Sequence, residues 1–257
     1  MKDIYRQLAV VVTTIATLVV NGLANALPLN GQSTGEISDR FDVYFIPAGY
    51  VFSIWGLIYL GLVAYTVFQA LPAQRDNPRL RATGWWVALA NVANALWIFL
   101  WHYEQFPLTI IVMLVLLAAL IVIYLRLRDG KREVSTVETW AARIPFSIYL
   151  GWITVATVAN ATALLDYLQW NGFGIAPEIW MVIILAAVLA IAALMNFTRR
   201  DLAYTLVILW ALAGIAIKHA ATGAVAVPTW ITFALVAITF AAAYFLRRPS
   251  EKLRTAY

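Results

Sequence analysis

The chain has 257 residues, 63% of them hydrophobic and 12% charged, with a formal net charge of +5 and a mean hydropathy of +0.80. A water-soluble domain of this length could not hide so much apolar surface, so lipid is the solvent and the fold class is all-α, a polytopic membrane protein. The chain contains no cysteine, which excludes disulfides, thiol nucleophiles and Cys-based metal sites.

A spanning helix needs about 20 apolar residues to cross a hydrocarbon core of about 30 Å. Eight segments qualify. The first, 7–27, has an apolar run too long for a secretory signal and no small-x-small cleavage site after it, so it reads as a retained span. It carries Asn21 and Asn25, four residues apart and hence on one helix face. The second, 47–71, opens on Pro47 and carries Trp55 and Tyr59, again four apart. Proline suits the first turn of a helix, where its missing N–H costs nothing. The third, 82–101, places Asn91, Asn94, Trp97 and Trp101 at spacings of three and four. The fourth is 107–125. The fifth, 141–165, has a stripe of Trp152, Ala156 and Asn160. The last three, 176–197, 202–220 and 227–246, hold few mid-membrane amides: Asn196 lies near a span end, and Trp210 is their one deep tryptophan. Turn or charge signals separate the spans, namely "PLNGQSTGE", "PAQRDNPR", "HYEQFP", "RLRDGKRE", "QWNGFG", "TRRD" and "TGAVAVP".

Eight spans place 16 of the 18 basic residues on one side and only Arg40 and Lys218 on the other. The positive-inside rule then predicts both termini in the cytoplasm. The sequence pI near 9.5 reflects orientation signals and contacts with anionic headgroups, not a nucleic-acid surface.

The 13 acidic residues all sit at span ends or in loops, whereas a proton-coupled pump or ion channel usually needs an ionisable group near the bilayer centre. Lys218 is the deepest cation and is close enough to a helix end to snorkel. His102 and His219 are isolated and show no metal-ligand spacing. What recurs inside the spans is amide plus aromatic, which suits a large, mostly apolar ligand with a few polar edges. A blander account exists for each residue. Buried asparagines join transmembrane helices at about 1 kcal/mol or less, and tryptophans near span ends form an interfacial belt. The belt accounts for Trp85, Trp86, Trp140, Trp170, Trp180 and Trp230, while Trp101 fits either role. It accounts less well for Trp55, Trp97 and Trp152, which lie a turn or more inside.

Three stretches resemble the tryptophan-rich sensory protein/translocator protein (TspO) family. "FIPAGYVFSIWGLIYL" (45–60) is similar to its second-helix signature and "ANALWIFLWHY" (93–103) to its third-helix pattern. "PFSIYLGWITVATVAN" (145–160) is similar to its fifth. The resemblance covers about 5–166. It implies a five-helix bundle over 1–166 whose first loop folds over a pocket for porphyrins, sterols or related flat hydrophobic ligands. Carried over by position, Trp55 and Tyr59 form one wall; Asn91, Asn94 and Trp97 form a second; Trp152, Ala156 and Asn160 form a third. Tyr44, Phe45 and Pro47 belong to the lid. The sequence departs from the family where a double proline becomes Pro47-Ala48 and where Tyr44 or Phe45 replaces a loop tryptophan. Pro145 stands seven residues before Trp152 instead of about four, so Tyr149 is an alternative to Trp152. Residues 167–257 add a three-span extension with a basic tail, about which the resemblance says nothing.

The expected function is binding or transport of a porphyrin-, sterol- or pigment-like molecule in the plasma (inner) membrane. No cofactor is required, a bound tetrapyrrole, pigment or lipid being ligand. The expected partners are that ligand and the bilayer, with a homodimer or a larger membrane complex both open and no nucleic acid. Two alternatives are an accessory subunit of a membrane complex and an enzyme modifying a tetrapyrrole. For the second, the sequence offers oxidisable tryptophans but no acid–base pair at catalytic spacing.

Overall fold

A computed structural model describes residues 2–27, 29–129 and 133–246. Of the basic residues counted above, Lys131, Arg132, Arg247, Arg248, Lys252 and Arg254 lie outside the described residues, as do the side chains of Lys2 and Asn25. Among the described residues every regular element is helical.

Helix α1, Lys2–Ala26, shows how the lipid solvent organises the fold. Gln7, Val10, Thr14, Thr17, Asn21 and Ala24 recur at spacings of three and four and are buried, while Ile4, Leu8, Val12, Ile15, Val19 and Leu23 are exposed. The polar and small stripe therefore faces the protein and the large aliphatic stripe faces lipid. Between helices in a membrane there is no hydrophobic gain to be had, so close packing and hydrogen bonds set the interface.

After α1 comes a lid. It comprises a 3₁₀ turn Leu29–Gly31, the short helix α2 (Thr34–Ser38), an extended stretch and a second 3₁₀ turn, Gly49–Ser53. The α2 start is a capping box: Ser33 accepts from the Glu36 N–H, and Glu36 accepts from the Ser33 N–H. Helix α3, Ile54–Ala70, follows. Helix α4 (Pro78–His102) is capped by Asn77, with Pro78 at its first position, and α5 (Phe106–Arg128) carries Pro107 in its first turn.

The next helical run has three parts. Ser135 caps α6 (Thr136–Glu138); a π-helical turn, Thr139–Arg143, leads into α7 (Ile144–Tyr167). Pro145 lacks the N–H that an α-helix would send back to residue 141, and its ring would crowd that carbonyl, so a wider turn just before it relieves the conflict. The buried pair Arg79 Nε–Glu138 Oε1, at 2.5 Å, ties the start of α4 to α6.

Helix α8, Pro177–Arg199, ends on Arg200 in the left-handed region (φ 50°). Asp201 then caps α9, Leu202–Lys218, and α10 runs Gly223–Phe245. The Asp201 carboxylate also accepts from Arg128, Ser147 and Tyr124, so this cap fastens α9 to α5 and α7. Gly151 permits the α7–α9 crossing: a Cβ there would lie 3.1 Å from Val207 Cβ. Helix α4 packs between α1 and α5, α7 touches α3, α5 and α9, and α8 and α10 pack on each other and on α9.

Among the described residues seven helical segments are long and apolar enough to cross a membrane, and α9, with 17 residues, falls short of that length. One boundary needs correcting. Pro47 is not in the first turn of a helix: it precedes the 3₁₀ turn and lies in extended chain, where the Ala48 N–H donates to the Gly214 carbonyl of α9 at 3.3 Å. A tertiary bond takes the place of the helical start.

Candidate functional site

The lid is held mostly by polar contacts. His102, fully buried at the end of α4, lies 2.9 Å from Thr34 Oγ1 through Nε2 and 3.0 Å from the Leu29 carbonyl through Nδ1. With the proton on Nδ1, the ring donates to the carbonyl and accepts from the hydroxyl, which satisfies both nitrogens. Trp101 Nε1 donates to the Thr34 carbonyl, and Asn30 returns a bond to the His102 carbonyl. At the lid's outer rim Arg40 meets Glu104 at 2.6 Å, and this holds the Glu104 carboxyl below its ordinary pKa. Histidine and tryptophan thus staple the lid, a use of His102 that its isolation in sequence does not reveal.

The far side of the lid rests on α8 and α9. Tyr44 donates to Glu178 Oε1 at 2.9 Å, and that bond pushes the phenol's pKa up, keeping it a neutral donor. Trp210 Nε1 donates to the Val51 carbonyl, and Lys218 meets Asp39 at 2.6 Å. Gly214 lies so close to Val51 that a Cβ there would stand 2.1 Å from Val51 Cγ2.

Beneath the lid lies a cavity of about 50 Å³. Trp97 and Trp101 of α4 form one wall as a stacked pair, with centroids 5.1 Å apart and planes 18° from parallel. Trp152, Ala156 and Asn160 of α7 form the facing wall, and alanines 159 and 163 leave room beside them. Ser38, Ile46, Pro47 and Phe52 close it from the lid. Trp97 Nε1 donates to Asn160 Oδ1 at 3.0 Å, and Asn160 Nδ2 donates to Thr109 at 2.9 Å. The Trp152 Nε1 is buried and has no hydrogen-bond partner among the described residues.

The sequence-derived site residues divide by location. Pro47, Trp97, Trp152, Ala156 and Asn160 line this cavity. Phe45 is buried in the lid beside it, and Tyr44 turns to Glu178. Trp55 stacks on Tyr59 and sets its edge against Trp152, with centroids 6.3 Å apart. The rest form a hydrogen-bond chain between helices: Tyr59 donates to Asn21 (2.8 Å), Asn21 to Asn94 (2.7 Å) and Asn94 to the Tyr149 hydroxyl (2.9 Å). Asn91 joins α4 to α1 through Thr13 and Thr14. Of the two alternatives on α7, Trp152 faces the cavity while Tyr149 closes this chain. Trp101 and Phe52 are additional wall residues, and the four-residue step from Trp97 to Trp101 is the signal that marks the first.

Among the described residues no three His, Cys, Asp or Glu side chains cluster as a metal site. The arrangement supplies flat aromatic surface, one amide already engaged and one free indole N–H, a chemistry of recognition by stacking and hydrogen bonding.

Comparison with curated proteins and with solved structures gives no match. The family model described as TSPO-like protein matches residues 7–245, which takes in α8 to α10 as well as the helices that wall the cavity. The chain is an integral membrane protein and belongs to the TSPO-like family.

Proposed function

We propose that this TSPO-like protein binds a flat, largely apolar molecule of the porphyrin, sterol or pigment class beneath its lid and exchanges it with the bilayer. The observation that carries the reading is the indole N–H of Trp152, buried and unpartnered among the described residues, on a side chain that lines one cavity with the stacked Trp97–Trp101 pair. A buried donor without an acceptor costs about 1–3 kcal/mol, and a ligand carbonyl, carboxylate or hydroxyl oxygen removes that cost. The cavity of about 50 Å³ is far below the roughly 300–1,000 Å³ of small-molecule sites. Binding in this reading requires the lid to lift from a closed position, which the small size of the cavity supports.

In this reading the unit over 1–166 holds the ligand and 167–257 supports the lid from outside. Eight spans, both termini cytoplasmic and a plasma (inner) membrane location complete the proposal, supported by the 16-to-2 asymmetry of basic residues. Helix α9, with 17 residues, is about 26 Å long at 1.5 Å per residue. Local thinning and the snorkelling reach of Lys218 make up the difference from about 30 Å.

The test is titration of protoporphyrin IX into the full chain in lipid nanodiscs, read by tryptophan emission. Absorption and mass spectrometry of whatever co-purifies after mild extraction complement it. Saturable quenching, or a stoichiometric bound pigment or sterol, is expected. Absence of both would end the proposal.

A further inference from the structure

A second and larger cavity, about 710 Å³, lies between α3, α7 and α9 and shares no lining residue with the lid pocket. Ile144, Ser147 and Ile148 of α7 form its floor. Ile54 and Leu57 of α3 make one wall, Leu206 and Trp210 of α9 the other. Leu57 and Leu206 are 52% and 54% exposed, so the groove stands open on the lipid-facing surface. Its lining on α9 runs from Leu202 to Trp210, which is about 12 Å of helix at 1.5 Å per residue.

One end of the groove is strongly cationic. Arg128, Arg143, Arg199 and Arg200 line it together with a single carboxylate, Asp201. Arg128 is paired with Asp201 and lies over the Tyr124 ring, but its Nη1 is buried without a hydrogen-bond partner among the described residues. Arg143 donates through Nε to the Leu127 carbonyl at 3.0 Å and forms no ion pair among the described residues, Glu138 acting on it only through space. Arg199 and Arg200 are exposed and form no ion pair among the described residues. Trp140, at the same end, is 66% exposed, as an interfacial tryptophan should be.

We propose that this groove seats an anionic phospholipid of the bilayer, with an acyl chain along α7 between α3 and α9 and the phosphate on the arginine cluster. Charge complementarity fixes the head: guanidinium groups present forked donors to phosphate oxygens, and here they outnumber the carboxylate that could neutralise them. The apolar walls fix the tail, because a free phosphate would leave the length of the groove unfilled. Such a lipid would bridge α3 and α9, both of which line the groove, and would brace the last three helices against the rest of the bundle.

The full chain can be taken from nanodiscs of phosphatidylcholine with a minor share of phosphatidylglycerol and the retained lipids counted by native mass spectrometry. Phosphatidylglycerol should be retained over phosphatidylcholine by roughly tenfold relative to its share. R199Q/R200Q should abolish that preference. L206W, which fills the trough and leaves every arginine in place, should lose the bound lipid even if the first variant does not fold. R81Q, on an exposed arginine away from the groove, should leave retention unchanged, and millimolar inorganic phosphate should not displace the lipid. Equal retention of the two lipids, a preference that survives R199Q/R200Q, or retention that survives L206W overturns the proposal. So does an equal loss in R81Q, which would mean diffuse surface charge, or displacement by phosphate, which would mean a bare anion site.

Discussion

Trp97 and Asn160 are joined by a 3.0 Å hydrogen bond from the indole N–H to the amide oxygen, directly across the cavity under the lid. The two residues come from α4 and α7, and the bond consumes the polar capacity of Trp97 while Trp152, on the same wall as Asn160, keeps a free donor. A ligand arriving in this pocket should therefore be read by Trp152.

Trp152→Phe keeps an aromatic face and deletes that donor. Affinity for protoporphyrin IX should fall roughly three- to tenfold, the worth of one hydrogen bond of about 1 kcal/mol. Trp180→Phe, whose indole bonds the Gly172 carbonyl instead, should leave affinity unchanged. Tryptophan-quenching titrations on both variants decide the matter, and equal affinities would remove Trp152 from the site.

Asn94 should behave in the opposite way. Its amide receives from Asn21 and donates to Tyr149, so it is fully engaged between helices. Asn94→Leu should lower stability by about 1 kcal/mol, within the range measured for interhelical hydrogen bonds in membranes. Ligand affinity in the folded fraction should hold. Thermal unfolding in detergent, paired with the titration, separates the two readouts; a loss of affinity at unchanged stability would put Asn94 in the pocket.

Gly214 is the tightest contact between α9 and the lid. With a Cβ placed 2.1 Å from Val51 Cγ2, Gly214→Ala must push the lid or the helix aside, at about 1–3 kcal/mol. Val51→Ala removes the colliding methyl groups. The double variant G214A/V51A should recover most of the stability lost by G214A alone, and strict additivity in this cycle would show that the clash is relieved elsewhere.

Orientation can be read with single cysteines, since the chain has none of its own. Ser33 and Ser135 cap helices, so the exposed alanines Ala73 and Ala221 are better sites. In intact cells an impermeant thiol reagent should label A221C and spare A73C. The reverse pattern would invert the topology.

The membrane class and the helical segments were legible because lipid imposes a length and a polarity on any span. Amide positions on α1 and α4 were legible as faces, since residues three and four apart must share one. Which neighbour each face meets was not. Asn160 and Asn94 sit in similar local patterns, yet one borders a cavity and the other is an inner link of a hydrogen-bond chain. That distinction depends on the crossing of α4 with α1 and α7, and no local spacing encodes it. Pro47 gave a wrong helix start for the same reason: its neighbour's N–H is satisfied by Gly214, 166 positions further along the chain. The stapling role of His102 likewise exists only once the lid has folded back over the end of α4.

The attachment of the lid to α9 has a kinetic meaning. The contacts of Ala48 with Gly214, Val51 with Trp210 and Asp39 with Lys218 exist in the closed state and must break whenever the lid lifts. On the proposed reading, in which the same contacts form over an empty and an occupied pocket, they raise the barrier to entry and to escape alike and leave the equilibrium constant nearly untouched. The last three helices would then act as a latch that sets residence time. Trp210→Phe, which removes the bond to the Val51 carbonyl, should speed association and dissociation of protoporphyrin IX by a similar factor in stopped-flow measurements. A change in Kd without that paired acceleration would show that the latch distinguishes the occupied pocket from the empty one.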